Sequence, residues 1–187
     1  GIRQALDYLR SLGHTQIGYI GPKRLIDETK RMTPEPRRRS FEHYMREASL
    51  YHPDFVVECP MRTRSAVETE LTLRMKTFYL DEHPTAFVTV NEETAIGTIH
   101  ALHSLGFHVP NDISIVSFND TVMSSVVEPA LTSISPHLDY MAATAVQLVR
   151  QRASSPLHQP ERHFTQKIVI PPALVLREST AAPVQPL

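Results

Sequence analysis

Residues 86–118, AFVTVNEETAIGTIHALHSLGFHVPNDISIVSF, hold the pattern that decides the fold. The run 86–90 is short, apolar and β-branched, which reads as a buried strand. From Glu92 to about Leu105 the apolar residues Ala95, Ile96, Ile99 and Leu102 recur at helical spacing and predict a helix with that face inward. Residues 113–118, ISIVSF, return to strand chemistry. A helix of this length between two strands is a crossover connection, which joins parallel strands of a sheet covered on both faces.

Working outward, the same alternation repeats. Ile2, Ala5, Leu6 and Leu9 predict an opening helix that stops at Gly13, followed by a strand over 16–21 (QIGYIG). Beyond a loop holding Pro34 and Pro36, Phe41, Tyr44, Met45 and Ala48 mark a second helix, and 55–59 (FVVEC) a second strand. Val67, Leu71, Met75 and Phe78 then fall on one face of a third helix. The fold expected is an open α/β layer with helices on both faces. In such sheets ligands bind outside the carboxyl ends of the strands, so Asn91 and Asn119, each just past a strand, are the first candidates for function. After residues 131–134 the pattern changes to a helix over about 138–150, a polar loop, and strands over 166–170 and 174–177. Residues 181–187 are expected to fray.

Composition excludes several classes. The 187 residues carry a net charge of -1, against the strong positive excess of a dedicated nucleic-acid binder. One cysteine, Cys59, cannot build a disulfide framework or a multi-cysteine zinc site and suits a reducing compartment, so a cytoplasmic location is expected. With 6 glycines there is neither GxGxxG nor GxxxxGK[ST], and no run is long and apolar enough for a membrane helix.

Four segments carry a resemblance. Residues 84–97 (PTAFVTVNEETAIG), 109–121 (VPNDISIVSFNDT), 129–134 (PALTSI) and 12–22 (LGHTQIGYIGP) resemble, in the right order, motifs of the lactose/galactose repressor family of bacterial transcription regulators. That resemblance implies a lobe like that of a periplasmic sugar-binding protein, with an N-terminal DNA-binding head and most of a proximal lobe lying outside this sequence. Residues 1–135 would form the distal effector-binding lobe, 136–171 a segment crossing to the proximal lobe, 172–180 the return strand of the distal lobe, and 181–187 the tail. The implied function is sugar sensing without catalysis: a carbohydrate effector, operator DNA bound through the missing head, a homodimer, no cofactor and no membrane. The alternatives are a periplasmic-type sugar-binding transport protein and a sugar- or nucleotide-active α/β enzyme.

Arg37 precedes Phe41 as in the family's R-x-x-G-F, with Ser40 in place of the glycine. A guanidinium presents a rigid fork that can grip vicinal hydroxyls or a carboxylate, whereas the residue alone could equally be part of a solvated basic patch with Arg38 and Arg39. Asn91 can donate to and accept from a sugar hydroxyl, and can equally cap the helix that begins at Glu92. Asn119 stands where the family usually has an aspartate, so a charged acceptor is replaced by an amide with two donors. Asp120 beside it is either a further effector carboxylate or a loop residue. By resemblance, His137 and Leu138 approach the cleft floor, and Ile96 and Val127 lie at a dimer interface; on sequence alone Ile96 could belong to the core. His100, His103 and His108 lack clear further ligands for a metal, so none is expected. No GxSxG elbow or assignable carboxylate pair suggests catalysis.

Overall fold

In a computed structural model of the chain, residues 1–26, 30–59, 63–78, 83–155 and 164–184 are described. α1 (Ile2–Ser11) leads into β1 (Ile17–Gly21), and a hairpin of β2 (Arg24–Ile26) and β3 (Met32–Pro34) precedes α2 (Pro36–Glu47). A 3-10 turn at Pro53–Phe55 opens β4 (Val56–Glu58); α3 (Arg64–Met75), β5 (Ala86–Thr89), α4 (Glu92–Ser104) and β6 (Ser114–Phe118) follow. The short α5 (Met123–Val126), β7 (Thr132–Ser135), α6 (Leu138–Ser154) and β8 (Ala173–Val175) complete the order. One sheet runs β4-β1-β5-β6-β7-β8, parallel except for β8, which is antiparallel to β7.

Two apolar layers hold the sheet. On one face Ile2, Leu6 and Leu9 of α1 and Phe41 and Met45 of α2 pack on Tyr19, Val88 and Val116; on the other, Val67 and Leu71 of α3 and Ala95 and Leu102 of α4 pack on Ile20, Phe87 and Ile115. Each fully buried Leu, Ile or Phe here contributes about 2 kcal/mol relative to exposure. The layers are close enough to fix two glycines: a Cβ on Gly18 would lie 2.5 Å from the Phe87 ring and 2.7 Å from the Phe55 carbonyl, and one on Gly97 3.0 Å from the Arg64 carbonyl, between α3 and α4.

Four expectations are corrected. The inward face of α4 is Thr94, Ala95, Thr98, Ala101 and Leu102, while Ile96 and Ile99 are only half-buried; the core accepts small residues there because α3 and α4 approach so closely at Gly97. Residues 166–170 form no strand, because no neighbouring strand offers them a ladder. The loop around Pro34 contains the β2–β3 hairpin, and Pro36 is the first residue of α2, where its missing N–H costs nothing. The tail does not fray from Ala181: its N–H donates to Ser114 Oγ (3.0 Å), and its carbonyl accepts from Ser114 Oγ (3.0 Å) and His14 Nε2 (2.8 Å). Residues 185–187 lie outside the described residues.

Candidate functional site

The carboxyl edge of the parallel strands gathers the candidates. Asn91, two residues past the end of β5, is the N-cap of α4: its Oδ1 accepts from Thr94 N (3.0 Å) and Thr94 Oγ1 (2.7 Å). The capping role is therefore realised, and it engages only the oxygen of the amide. β6 ends at Phe118 and is followed by Asn119, whose backbone N–H donates to the Ile134 carbonyl at 3.0 Å and whose φ is +92°. Asp120 follows at φ +50°, so two successive non-glycine residues occupy the left-handed region. Such a conformation persists only where the surroundings hold it.

The surroundings are two charged side chains. Glu92, 7% exposed, accepts from Thr121 N (2.7 Å) and Ser124 Oγ (3.2 Å). Arg177, just past β8, donates through Nη2 to Asp120 Oδ1 (2.7 Å) and through Nη1 to the Leu131 carbonyl (2.7 Å). Asp120 is thus held by an internal partner, which gives it a structural task in this loop.

Arg37 ties the edge together. It stands at the start of α2, its Nη1 donates to the Val90 carbonyl at 2.9 Å, and its guanidinium lies 5.4 Å from the centre of the Phe118 ring. One side chain therefore touches the residues immediately before both Asn91 and Asn119. Glu35 lies beneath it, 3.8 Å from Nη1 and 2% exposed. The Glu35 carboxylate accepts from Tyr19 OH (2.8 Å) and from Arg38 N (2.6 Å), capping α2. Burial, then the Glu35 charge, pushes the Tyr19 phenol above its ordinary range, so it remains a donor. Arg38 pairs with Glu42 (2.9 Å) and Glu58 (3.4 Å), a half-buried network apart from Arg37.

His137 and Leu138 follow the end of β7 but are exposed, His137 at φ +58° before α6. They are not in contact with Arg37 or the asparagines in any bond or ring contact among the described residues. Ile96 and Val127 come together elsewhere: with Ile99, Phe107 and His103 they line a surface groove beside α4. Among the described residues no group of three His, Cys, Asp or Glu is placed to hold a metal ion. Burial pushes the Cys59 thiol up to about 12, which removes its nucleophilicity near neutrality. No described helix is long and apolar enough to cross a membrane.

Sequence reasoning missed Glu35, Glu92 and Arg177. Glu35 immediately precedes Pro36 and a helix stripe, a legible capping signal. Arg177 offers none, because its partners Leu131 and Asp120 are 46 and 57 residues away.

Comparison with known proteins follows this geometry. The family described as periplasmic binding protein-like domain matches residues 6–180. The HTH-type transcriptional regulator GalR of Streptococcus thermophilus is 32% identical over 83% of this chain and 46% of its own length. The HTH-type transcriptional regulator GanR of Bacillus subtilis is 29% identical over 95% of this chain and 52% of its own. A crystal structure of a LacI family transcriptional regulator from Mycobacterium smegmatis superposes with a TM-score of 0.74 at 26% identity, covering 98% of this chain and 64% of that one. The chain thus spans about half the length of the curated relatives it matches. The resemblance read from the four sequence motifs, and the α/β lobe it implied, are borne out.

Proposed function

The chain belongs to the periplasmic binding protein-like domain family, and from that premise we propose that it is the effector-binding distal lobe of a sugar-responsive transcription regulator. Carbohydrate binds at the carboxyl edge, against Arg37, Asn91 and Asn119, and shifts the equilibrium between two arrangements of the full protein that differ in affinity for operator DNA. The observation that carries this reading is Arg37, whose side chain reaches the residues before both asparagines. The relatives named above are DNA-binding regulators, which favours this reading over a carrier or an enzyme. DNA is bound by a head domain outside this sequence, in the cytoplasm.

The second lobe is read from the exposed half of the molecule. α6 has 17 residues and none is buried. Residues 136–171, of which 156–163 lie outside the described residues, are the segment assigned to a proximal lobe, and 172–180 return to pair with β7. Two copies associate through the groove that Ile96 and Val127 share. Titrating carbohydrates into the intact protein on operator DNA tests the function: Arg37→Ala is expected to abolish release while operator binding persists. Full response in that variant would remove Arg37 from the site.

A further inference from the structure

We infer that the groove beside α4 holds half of a zinc site: His103 and His108 bind one divalent ion through their rings, and the same pair from a second copy completes its coordination, so that the ion clips two copies together. The inference rests on the reading of this groove as the contact between copies and adds a ligand to that contact.

His103 stands in the last turn of α4, and Gly106, at φ +88°, turns the chain before His108. The two rings face each other with centres 6.3 Å apart and planes at 90°. Both line the groove that Ile96 and Val127 share, and both are exposed in the single chain. Asp112 fixes the second ring: its Oδ2 accepts from the His108 backbone N–H at 2.6 Å and lies 3.2 Å from the ring Nδ1. An ionised carboxylate only accepts, so Nδ1 is the donor and the lone pair of the neutral ring sits on Nε2. A carboxylate behind a histidine in this way orients metal ligands and raises their basicity. The His103 ring makes no hydrogen bond among the described residues, so it too has a nitrogen to offer. Two imidazoles on one tetrahedral zinc, with Zn–N about 2.0 Å, have ring centres about 5 Å apart. His103 and His108 reach that separation by a shift of about 1 Å, within the range of rotamer motion of exposed side chains.

One chain is not enough. Among the described residues no group of three His, Cys, Asp or Glu is placed to hold a metal ion, whereas zinc takes three or four protein ligands. Copies related by a twofold axis meet through the same patch on each. A contact through Ile96 and Val127 therefore brings both histidine pairs to one seam and raises the set from two nitrogens to four. The walls around them include Ile99, Phe107 and Val109. An imidazole pressed into such an apolar contact with an unpartnered nitrogen is costly, and coordination removes that cost.

Sedimentation velocity over a dilution series of the intact protein, stripped with EDTA, dialysed and then supplied with zinc chloride, tests this. Calorimetry with the same salt gives a second reading that does not depend on the strength of the metal-free dimer. Zinc is expected to tighten the dimer roughly tenfold or more, binding as one ion per two chains. His103→Gln and His108→Gln are each expected to erase both effects, and Asp112→Asn to weaken zinc binding about tenfold. His43→Gln, an exposed histidine of α2, is the control and is expected to change neither. A dimer indifferent to zinc, or a zinc response that survives in the His103→Gln, His108→Gln double variant, would overturn the inference and leave the groove standing as the contact. A chain that is monomeric with and without zinc would overturn the groove reading as well.

Discussion

The guanidinium of Arg177 ties the loop after β6 to the last strand of the sheet, with Nη2 2.7 Å from Asp120 Oδ1 and Nη1 2.7 Å from the Leu131 carbonyl. It holds Asp120 at φ +50° directly beside Asn119 at φ +92°. Both side chains of the pair are largely buried, at 21% and 13% exposed.

Arg177→Ala leaves a carboxylate and a carbonyl without their donors, at a cost of about 2 kcal/mol or more. Arg177→Lys is expected to recover only part of this, because one ammonium cannot reproduce two bonds held at fixed geometry. Urea denaturation of the three proteins checks the order wild type, lysine, alanine. A lysine variant as stable as wild type would show that charge alone matters.

Such a clasp explains what was legible in the sequence and what was not. Helix and strand positions follow from local periodicity, and β1, β5 and β6 lie where the apolar runs place them. Asn91 and Asn119 lie just past β5 and β6, as the strand pattern of the sequence places them. The face of α4 was misjudged because Ile96 and Ile99 are more hydrophobic than Thr94 and Thr98, yet the close approach at Gly97 admits only the smaller residues. The strand expected over 166–170 failed because a strand needs a partner as well as a composition. Arg177 depends on contacts that only the folded sheet creates.

The groove beside α4 gives the proposed dimer a specific test. Ile96 and Val127 share its walls with Ile99 and Phe107 and are incompletely buried in the single chain. Ile96→Glu would place a charge in an apolar contact between copies, where an unpaired charge costs several kcal/mol. Sedimentation velocity is expected to show a dimer of the intact protein converted to monomer. Leu73→Glu, at an exposed position of α3 that is 60% accessible, serves as the control and is expected to leave the dimer unchanged. Equal effects of the two substitutions would place the interface elsewhere.

His14 makes stability depend on pH. The buried ring donates from Nε2 to the Ala181 carbonyl (2.8 Å), and its Nδ1 lies 2.9 Å from the Thr85 hydroxyl oxygen. Burial lowers its pKa below the ordinary value of 6.5, outweighing the opposing bond to Ala181. Below that value the unfolded chain takes up a proton that the folded chain resists, so this contribution to stability is full above about pH 6.5 and declines as pH falls. The urea midpoint is expected to drop between pH 7.5 and pH 5.5, and by less in His14→Gln. An unchanged drop in the variant would assign the effect to other groups.

The last expectation concerns α6. Its seventeen residues include Leu138, Tyr140, Met141, Val146 and Val149, each 46% to 68% exposed, and none is buried. Beyond it Phe164, Ile168 and Val169 are exposed in a stretch with no strand pairing. Helices draw most of their stability in proteins from packing an apolar face, and one without a surface to cover is marginal in water. In the isolated 187-residue chain, amides of α1, α4 and the central strands are therefore expected to resist hydrogen exchange near the global unfolding limit, while 138–154 exchange orders of magnitude faster. If self-association covers the apolar face, protection of α6 will rise with protein concentration. Strong protection that is independent of concentration, in a chain shown to be monomeric, would mean that α6 is stable without a proximal lobe, and the assignment of 136–171 to that lobe would fall.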